Sequence, residues 1–348
     1  MNTAPNASTK SLIAVSISFE RENLLARGLG LDHLKELLVR LSRPLLRQGI
    51  DIAYGGHWGE QDGNFTYELL HLVDAEKTIE AEHRIVATKP EGSRQSPVGR
   101  LINHSAWPGY RLISPTKEAQ WINCCRIVRI TPELAGIDRS EWISESQLPA
   151  ARDDKDYPRE ALMHEAVCLS AMRRLVRDGL SLPIPDLPKP EKIAPIAARI
   201  VLGGKVRQYS GFMPGIFEEA LLSLETGSPL YLLGGFGGAA ELLAEALLAD
   251  EGQPLPEEFG DDWQRRNTPA LATLQEACVA HRPPAGSRET SVALEALRTQ
   301  LIKARSGLSA ALNTGLDDAD NRLLLSTRDM REAVNLVHRG LRQQGLMR

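Results

Sequence analysis

Residues 198–226, ARIVLGGKVRQYSGFMPGIFEEALLSLET, decide the fold. The run Ala198 to Leu202 is short and, through Ile200, Val201 and Leu202, rich in branched apolar side chains, which predicts a strand. It ends in Gly203-Gly204-Lys205. After a loop through Tyr209 and Gly211, Pro214-Gly215 marks a tight turn, and Ile216 to Thr226 has helical spacing. A strand that leads through a glycine turn into a helix is the unit of a parallel sheet covered on both faces.

The unit recurs on either side. Ser11 to Ser18 (SLIAVSIS) predicts a strand, and Leu31 to Leu46 a helix with leucines at helical intervals, stopped by Gly49. Ile50 to Tyr54 predicts a second strand that runs into Gly55-Gly56, and Phe65 to Thr78 a helix. Downstream, Leu230 to Leu233 predicts a strand ending in Gly234-Gly235, followed by a helix over Ala239 to Leu248. Between these, Ile85 to Tyr110 carries Pro90, Pro97 and Pro108 and is expected to be a long irregular insertion over the site. Strands are expected at Tyr110 to Ile113 and Cys124 to Ile130, and a helix over Tyr157 to Asp178. Ser181 to Pro190 (SLPIPDLPKP) is too rich in proline for a helix and reads as an extended connector. Beyond Gly252 the chain is polar and broken until helices near Val292 to Ala304 and Met330 to Leu341.

The expected fold is therefore α/β: a Rossmann-like, doubly wound, mainly parallel sheet with a helical C-terminal extension. Residues 1–10 are expected to be a flexible tail, 11–250 the ligand-binding domain, and 251–348 the extension. The connector at 181–190 offers a division into two lobes, but neither half has a complete sheet, which favours one sheet built from both.

Composition narrows the function. The 348 residues are 42% hydrophobic and 25% charged, ordinary for a globular protein, and the net charge of -4 lacks the basic footprint of a nucleic-acid binder. No apolar run reaches the roughly 20 residues of a membrane helix, and the opening MNTAPNASTK is unlike a signal peptide, so a cytoplasmic protein is expected. Cys124, Cys125, Cys168 and Cys278 have no staple or CxxC spacing, consistent with reduced, buried thiols. The eight histidines are scattered and form no paired ligand spacing, so neither a metal nor another cofactor is expected.

The chemistry lies in three strands that end in glycine pairs: Gly55-Gly56-His57, Gly203-Gly204-Lys205, and Gly234-Gly235-Phe236-Gly237-Gly238. In an open parallel sheet, ligands bind beyond the carboxyl ends of the strands. Glycine permits close backbone approach, and helix N-termini favour anions. A phosphate-bearing ligand follows as the expectation, although any single pair equally suits a plain turn. Lys205 can neutralise phosphate, and Tyr209 can stack or hydrogen-bond. Glu218 and Glu219 either complement the helix dipole or serve the ligand, by gripping ribose hydroxyls or as a general acid/base. His57 suits a ligand contact or a structural role. Arg21, Arg27 and Arg100 are phosphate candidates or solvated surface, and Trp58 and Trp107 stack on a base or fill the core.

These residues resemble the SLOG superfamily, a Rossmann-like group that includes the LOG-type nucleotide phosphoribohydrolases and nucleotide-sensing domains. The likeness lies in Ser16 to Arg27, the Tyr54-Gly55-Gly56 strand end, and Gly203 to Ala220. Gly234 to Gly238 is similar to the ADP-ribose-type sensor branches found in TIR-linked bacterial defence proteins and TRPM channels. The resemblance implies contacts to ligand phosphates from the loops after Ser18, Gly56, Gly204 and Gly215. On it rest the expected ligand-binding residues Ser18, Arg21, Gly55, Gly56, His57, Gly203, Gly204, Lys205, Tyr209, Gly211, Pro214, Gly215, Gly235 and Phe236. LOG-type enzymes carry Pro-Gly-Gly-x-Gly-Thr-x-x-Glu, whereas here Pro214-Gly215 is followed by Ile216-Phe217-Glu218-Glu219. The missing Gly-Thr favours a nucleotide sensor over the alternative, a nucleotide N-glycosidase in which Glu218 or Glu219 is catalytic. A sensor would work as a homo-oligomer or through a separate effector protein.

Overall fold

The computed structural model describes residues 11–59, 63–86, 97–149, 156–183 and 189–348. The expected tail at 1–10, the part of the insertion at 87–96 and the connector residues 184–188 lie outside them.

The chain starts with β1 (Leu12–Ser18), the single-turn α1 (Arg21–Leu25), α2 (Leu31–Arg47), β2 (Asp51–Tyr54) and α3 (Phe65–Val86). β3 (Leu101–Ala106), α4 (Pro115–Trp121), β4 (Cys125–Ile130) and α5 (Arg159–Asp178) follow. The short β5 (Leu180–Leu182) and β6 (Glu191–Ile193) lead to β7 (Ala198–Gly203), α6 (Gly215–Thr226), β8 (Leu230–Leu233) and α7 (Gly238–Leu248). The remainder is helical: α8 (Asp261–Asn267), α9 (Ala270–His281), α10 (Thr290–Ala304), α11 (Leu308–Leu312), α12 (Asp318–Ser326) and α13 (Met330–Gln343).

Six strands form one sheet in the order β4-β3-β2-β1-β7-β8, every neighbouring pair parallel. The chain winds outward from β1 in one direction through β4, then returns to β1 and winds the other way through β7 and β8. The point of reversal lies between β1 and β7, and there the flanking connections diverge and leave a crevice. β1 pairs along its length with β7, from Ile13 with Ala198 to Ser18 with Gly203.

Both faces are covered, which is why the strands are nearly continuously apolar rather than alternating. Leu34, Leu37, Leu38, Leu41 and Leu45 of α2 are fully buried against Ile13, Val15, Ile52 and Ile200, together with α3 and α13. On the opposite face α5, backed by α9, covers β1 to β4, while α6 and α7, backed by α10, cover β7 and β8.

Four expectations need correction. The insertion at 85–110 is not wholly irregular, because β3 lies within it. Tyr110 to Ile113 is no strand; Gly109–Leu112 is a 3-10 turn. The proline-rich connector is not wholly free of structure: its first two residues belong to β5, which pairs antiparallel with β6 just beyond its end. The stretch beyond Gly252 that reads as broken contains α8 and α9.

Candidate functional site: a crevice at the sheet's switch point

The crevice opens at the carboxyl ends of β1, β2 and β7. Its larger compartment has a volume of about 650 Å³ and is bordered by Ser18, Arg21, Gly55, Gly56, His57 and Lys205. A smaller compartment of about 260 Å³ shares Ser18, Tyr54, Gly55 and Lys205 with it and extends over Ser16, Arg173, Tyr209, Gly215 and Glu219. Their combined size suits a small molecule of nucleotide dimensions.

The wall from β2 is held by side chains that satisfy its backbone. Asn103 of β3 donates to the carbonyls of Tyr54 at 3.3 Å and Gly56 at 3.2 Å, and accepts the Trp58 indole N–H at 2.9 Å. Asn64 caps α3 by accepting the Thr66 N–H at 2.9 Å, while its amide donates to the His57 carbonyl at 3.0 Å. The loop is also close-packed: a Cβ at Gly56 would stand 2.0 Å from the Tyr54 ring and 2.3 Å from the Thr66 hydroxyl. Gly55 is exposed on the crevice wall.

Opposite, the β7 loop is tied to β1. Gly203 and Gly204 have φ of +65° and +106°, a region that disfavours other residues. A Cβ on Gly203 would meet the Ser18 carbonyl oxygen at 2.4 Å. The Gly204 N–H donates to that carbonyl at 2.7 Å, and the Lys205 N–H to the Ser18 hydroxyl at 3.2 Å. Glu20 accepts the N–H groups of Val206 at 2.6 Å and Arg207 at 3.0 Å, so this carboxylate is committed to the loop. These bonds present Lys205 and Arg207 at the mouth, where Arg21 of α1 joins them in a mainly cationic rim of three positive side chains against the exposed Glu22. Burial, and then the ammonium of Lys205, holds the His57 imidazole below its ordinary range, so it faces the crevice uncharged at neutral pH.

The adjacent glutamates of α6 diverge. Glu218 forms an ion pair with Arg173 of α5 and lines a separate small cavity with Arg177, Glu225 and Arg288. Glu219 faces the smaller compartment, 3.4 Å from Nη1 of Arg199. Arg173 also packs on the start of α6, where a Cβ at Gly215 would stand 2.7 Å from Nη2.

The structure thus brings Ser18, Arg21, Gly55, Gly56, His57, Lys205, Tyr209, Gly215 and Glu219 to one crevice. Gly203, Gly204, Gly211 and Pro214 shape its loops from beneath and are buried. The third glycine pair does not reach the crevice. Gly235 and Phe236 are buried, and a Cβ at Gly235 would stand 1.9 Å from the Thr327 carbonyl oxygen. One at Gly234 would stand 2.3 Å from that of Leu325. These glycines admit the backbone at the C-terminal end of α12, from Leu325 to Thr327. Arg27 is bound to Glu241, Arg100 lies at the opposite end of β3, and Trp58 and Trp107 are core. Arg199, which sequence reasoning missed, is 2% exposed within an apolar strand; a charge at such a position was the available signal.

Among the described residues no helix is long and apolar enough to cross a membrane, and no group of three or more His, Cys, Asp or Glu is placed to hold a metal ion. No curated protein matches the chain. A family model described as SLOG cluster2 matches residues 7–184 and 189–324, which carry every strand of the sheet and the whole crevice. Nucleotide-related ligand binding or processing is what that superfamily implies, and by this match the chain belongs to the SLOG cluster2 family.

Proposed function

We propose that the chain is a nucleotide sensor: it binds an ADP-ribose-type ligand, linear or cyclic, across the switch point, and passes the bound state to a second copy of itself or to a separate effector protein. The observation that carries this reading is the cationic rim of Arg21, Lys205 and Arg207 around a crevice of about 650 Å³ walled by glycine backbone. Phosphates would occupy the rim, where N–H groups and positive side chains converge. The resemblance of Ser16 to Arg27, the Tyr54-Gly55-Gly56 strand end and Gly203 to Ala220 to a superfamily that includes nucleotide-sensing domains supports a role in bacterial signalling or antiphage defence.

One feature favours a second reading. Glu219 presents a carboxylate to the smaller compartment beside Arg173, an arrangement that suits polarisation of a ribose or its leaving base. That would make the protein a nucleotide N-glycosidase.

Thermal-shift screening against ADP-ribose, its cyclic isomers, NAD and nucleoside monophosphates, followed by chromatography of the incubated ligands, separates the two. A sensor gives a stability increase that grows with ligand concentration and leaves the ligand intact. Release of free base, lost in Glu219→Gln, establishes the enzyme. No shift with any of these ligands overturns both readings.

A further inference from the structure

Arg199 is a buried charge in the middle layer of the fold, 2% exposed on β7. β7 is buried throughout, and at this second position of the strand an apolar side chain would pack without the several kcal/mol needed to desolvate a charge. The guanidinium has two partners: Nη1 donates to the Ser16 hydroxyl of β1 at 2.9 Å and lies 3.4 Å from the Glu219 carboxylate. Its Nε and Nη2 have no hydrogen-bond partner among the described residues. Ser16 and Glu219 both line the smaller compartment, so Arg199 forms the layer beneath its floor.

The neighbouring ion pair makes the arrangement informative. Arg173 draws Glu218 out of the crevice and Arg199 stands behind Glu219, so two arginines divide two consecutive glutamates. A fixed anionic acceptor below a cationic rim gives the crevice a direction: phosphates fit at the mouth, hydroxyl donors at the floor.

Resting on the nucleotide-binding reading above, we infer that Arg199 is a positioning residue: its buried guanidinium, held by Ser16, fixes the Glu219 carboxylate as the acceptor for the ligand's ribose hydroxyls in the smaller compartment. Arg199 itself does not touch the ligand. It acts through Glu219.

The test compares ADP with 2′,3′-dideoxy-ADP by titration calorimetry, since the two differ only in the hydroxyls. The wild-type protein prefers ADP by about tenfold or more, as expected when a buried acceptor is left unpaired by the analogue. Arg199→Met and Glu219→Gln each reduce that preference to below about threefold while leaving the affinity for the dideoxy compound nearly unchanged, and the double variant loses no more than either single one. Arg199→Lys, which retains the charge, recovers part of the preference. Equal binding of the two nucleotides by the wild type overturns the inference, as does an Arg199→Met protein that keeps its preference or loses affinity for both alike. If Arg199→Met does not fold, Ser16→Ala decides: released from its hydroxyl partner the guanidinium no longer fixes Glu219 and the preference falls, whereas an unchanged preference overturns the inference. Absence of ADP binding overturns it too. The sensor reading falls with it only when the wider ligand screen is also negative.

Discussion

The hydroxyl of Ser18 accepts the backbone N–H of Lys205 at 3.2 Å, joining the ends of two strands 187 positions apart. This bond closes the switch point and sets the start of the cationic loop. The Lys205 side chain is exposed at the mouth, and no partner for its ammonium is found among the described residues.

Lys205→Ala is therefore expected to weaken ADP-ribose binding by about tenfold to a hundredfold, the usual worth of a charge-assisted hydrogen bond. The loss should shrink at high salt, because the site is open to screening. Calorimetry at two ionic strengths checks this, and unchanged affinity at low salt refutes the placement of the phosphates.

The two glutamates should separate by phenotype. Glu218→Gln breaks a largely buried pair with Arg173 and lowers the melting temperature, by the equivalent of about 3 kcal/mol, while ligand affinity changes by less than about threefold. Glu219→Gln also lowers the melting temperature, because it takes the carboxylate from the buried Arg199, but it alone reduces ligand affinity by more than about threefold. Melting curves and titrations of both variants decide, and a reversed result would relocate the polar floor of the site.

Gly235→Ala places a methyl 1.9 Å from the Thr327 carbonyl oxygen, a clash that rigid backbone cannot absorb. A destabilisation of about 2–4 kcal/mol is expected, with affinity in the folded protein unaltered. Denaturant unfolding beside calorimetry tests it. A selective loss of binding at full stability would return the third glycine pair to the ligand site.

Acid should weaken the fold before the carboxylates titrate. Burial holds His104 down to about 4, and His164 and His338 below their ordinary values for the same reason. Unfolding frees these imidazoles to bind protons with a pKa near 6.5, so the unfolded state takes up more protons and stability falls as pH drops from about 6.5 towards 4. Above that window the contribution is constant. Replacing His104 with Gln should flatten the decline in melting temperature between pH 7 and 5, and an unaltered slope would exclude His104 as its source.

The sheet was readable where strands are apolar and bounded by glycine, as β1, β2, β7 and β8 are. β3 escaped because its sequence, Leu-Ile-Asn-His-Ser-Ala, spends its polar residues inside the protein: Asn103 holds the glycine loop, and His104 is fully buried. No local pattern distinguishes such a strand from a loop. The glycine pair after β8 misled for the opposite reason. Its local signature matches the other two, but the backbone that demands it arrives from Leu325 and Thr327, roughly ninety residues later. Likewise Gly203 is explained by Ser18 of a distant strand, so the residue type was legible while its cause was not.

The strand order also governs how the protein must be made. β1 leaves the ribosome long before its partner on one side, β7, which begins at Ala198. At typical translation speeds of about 5–20 residues per second, one edge of β1 waits on the order of 10–40 s with its ladder unsatisfied. An apolar parallel edge held open that long invites pairing with other nascent chains. Chains that terminate before residue 198 should accordingly be recovered as aggregates, and the yield of full-length protein should depend on holdase chaperones and on growth temperature.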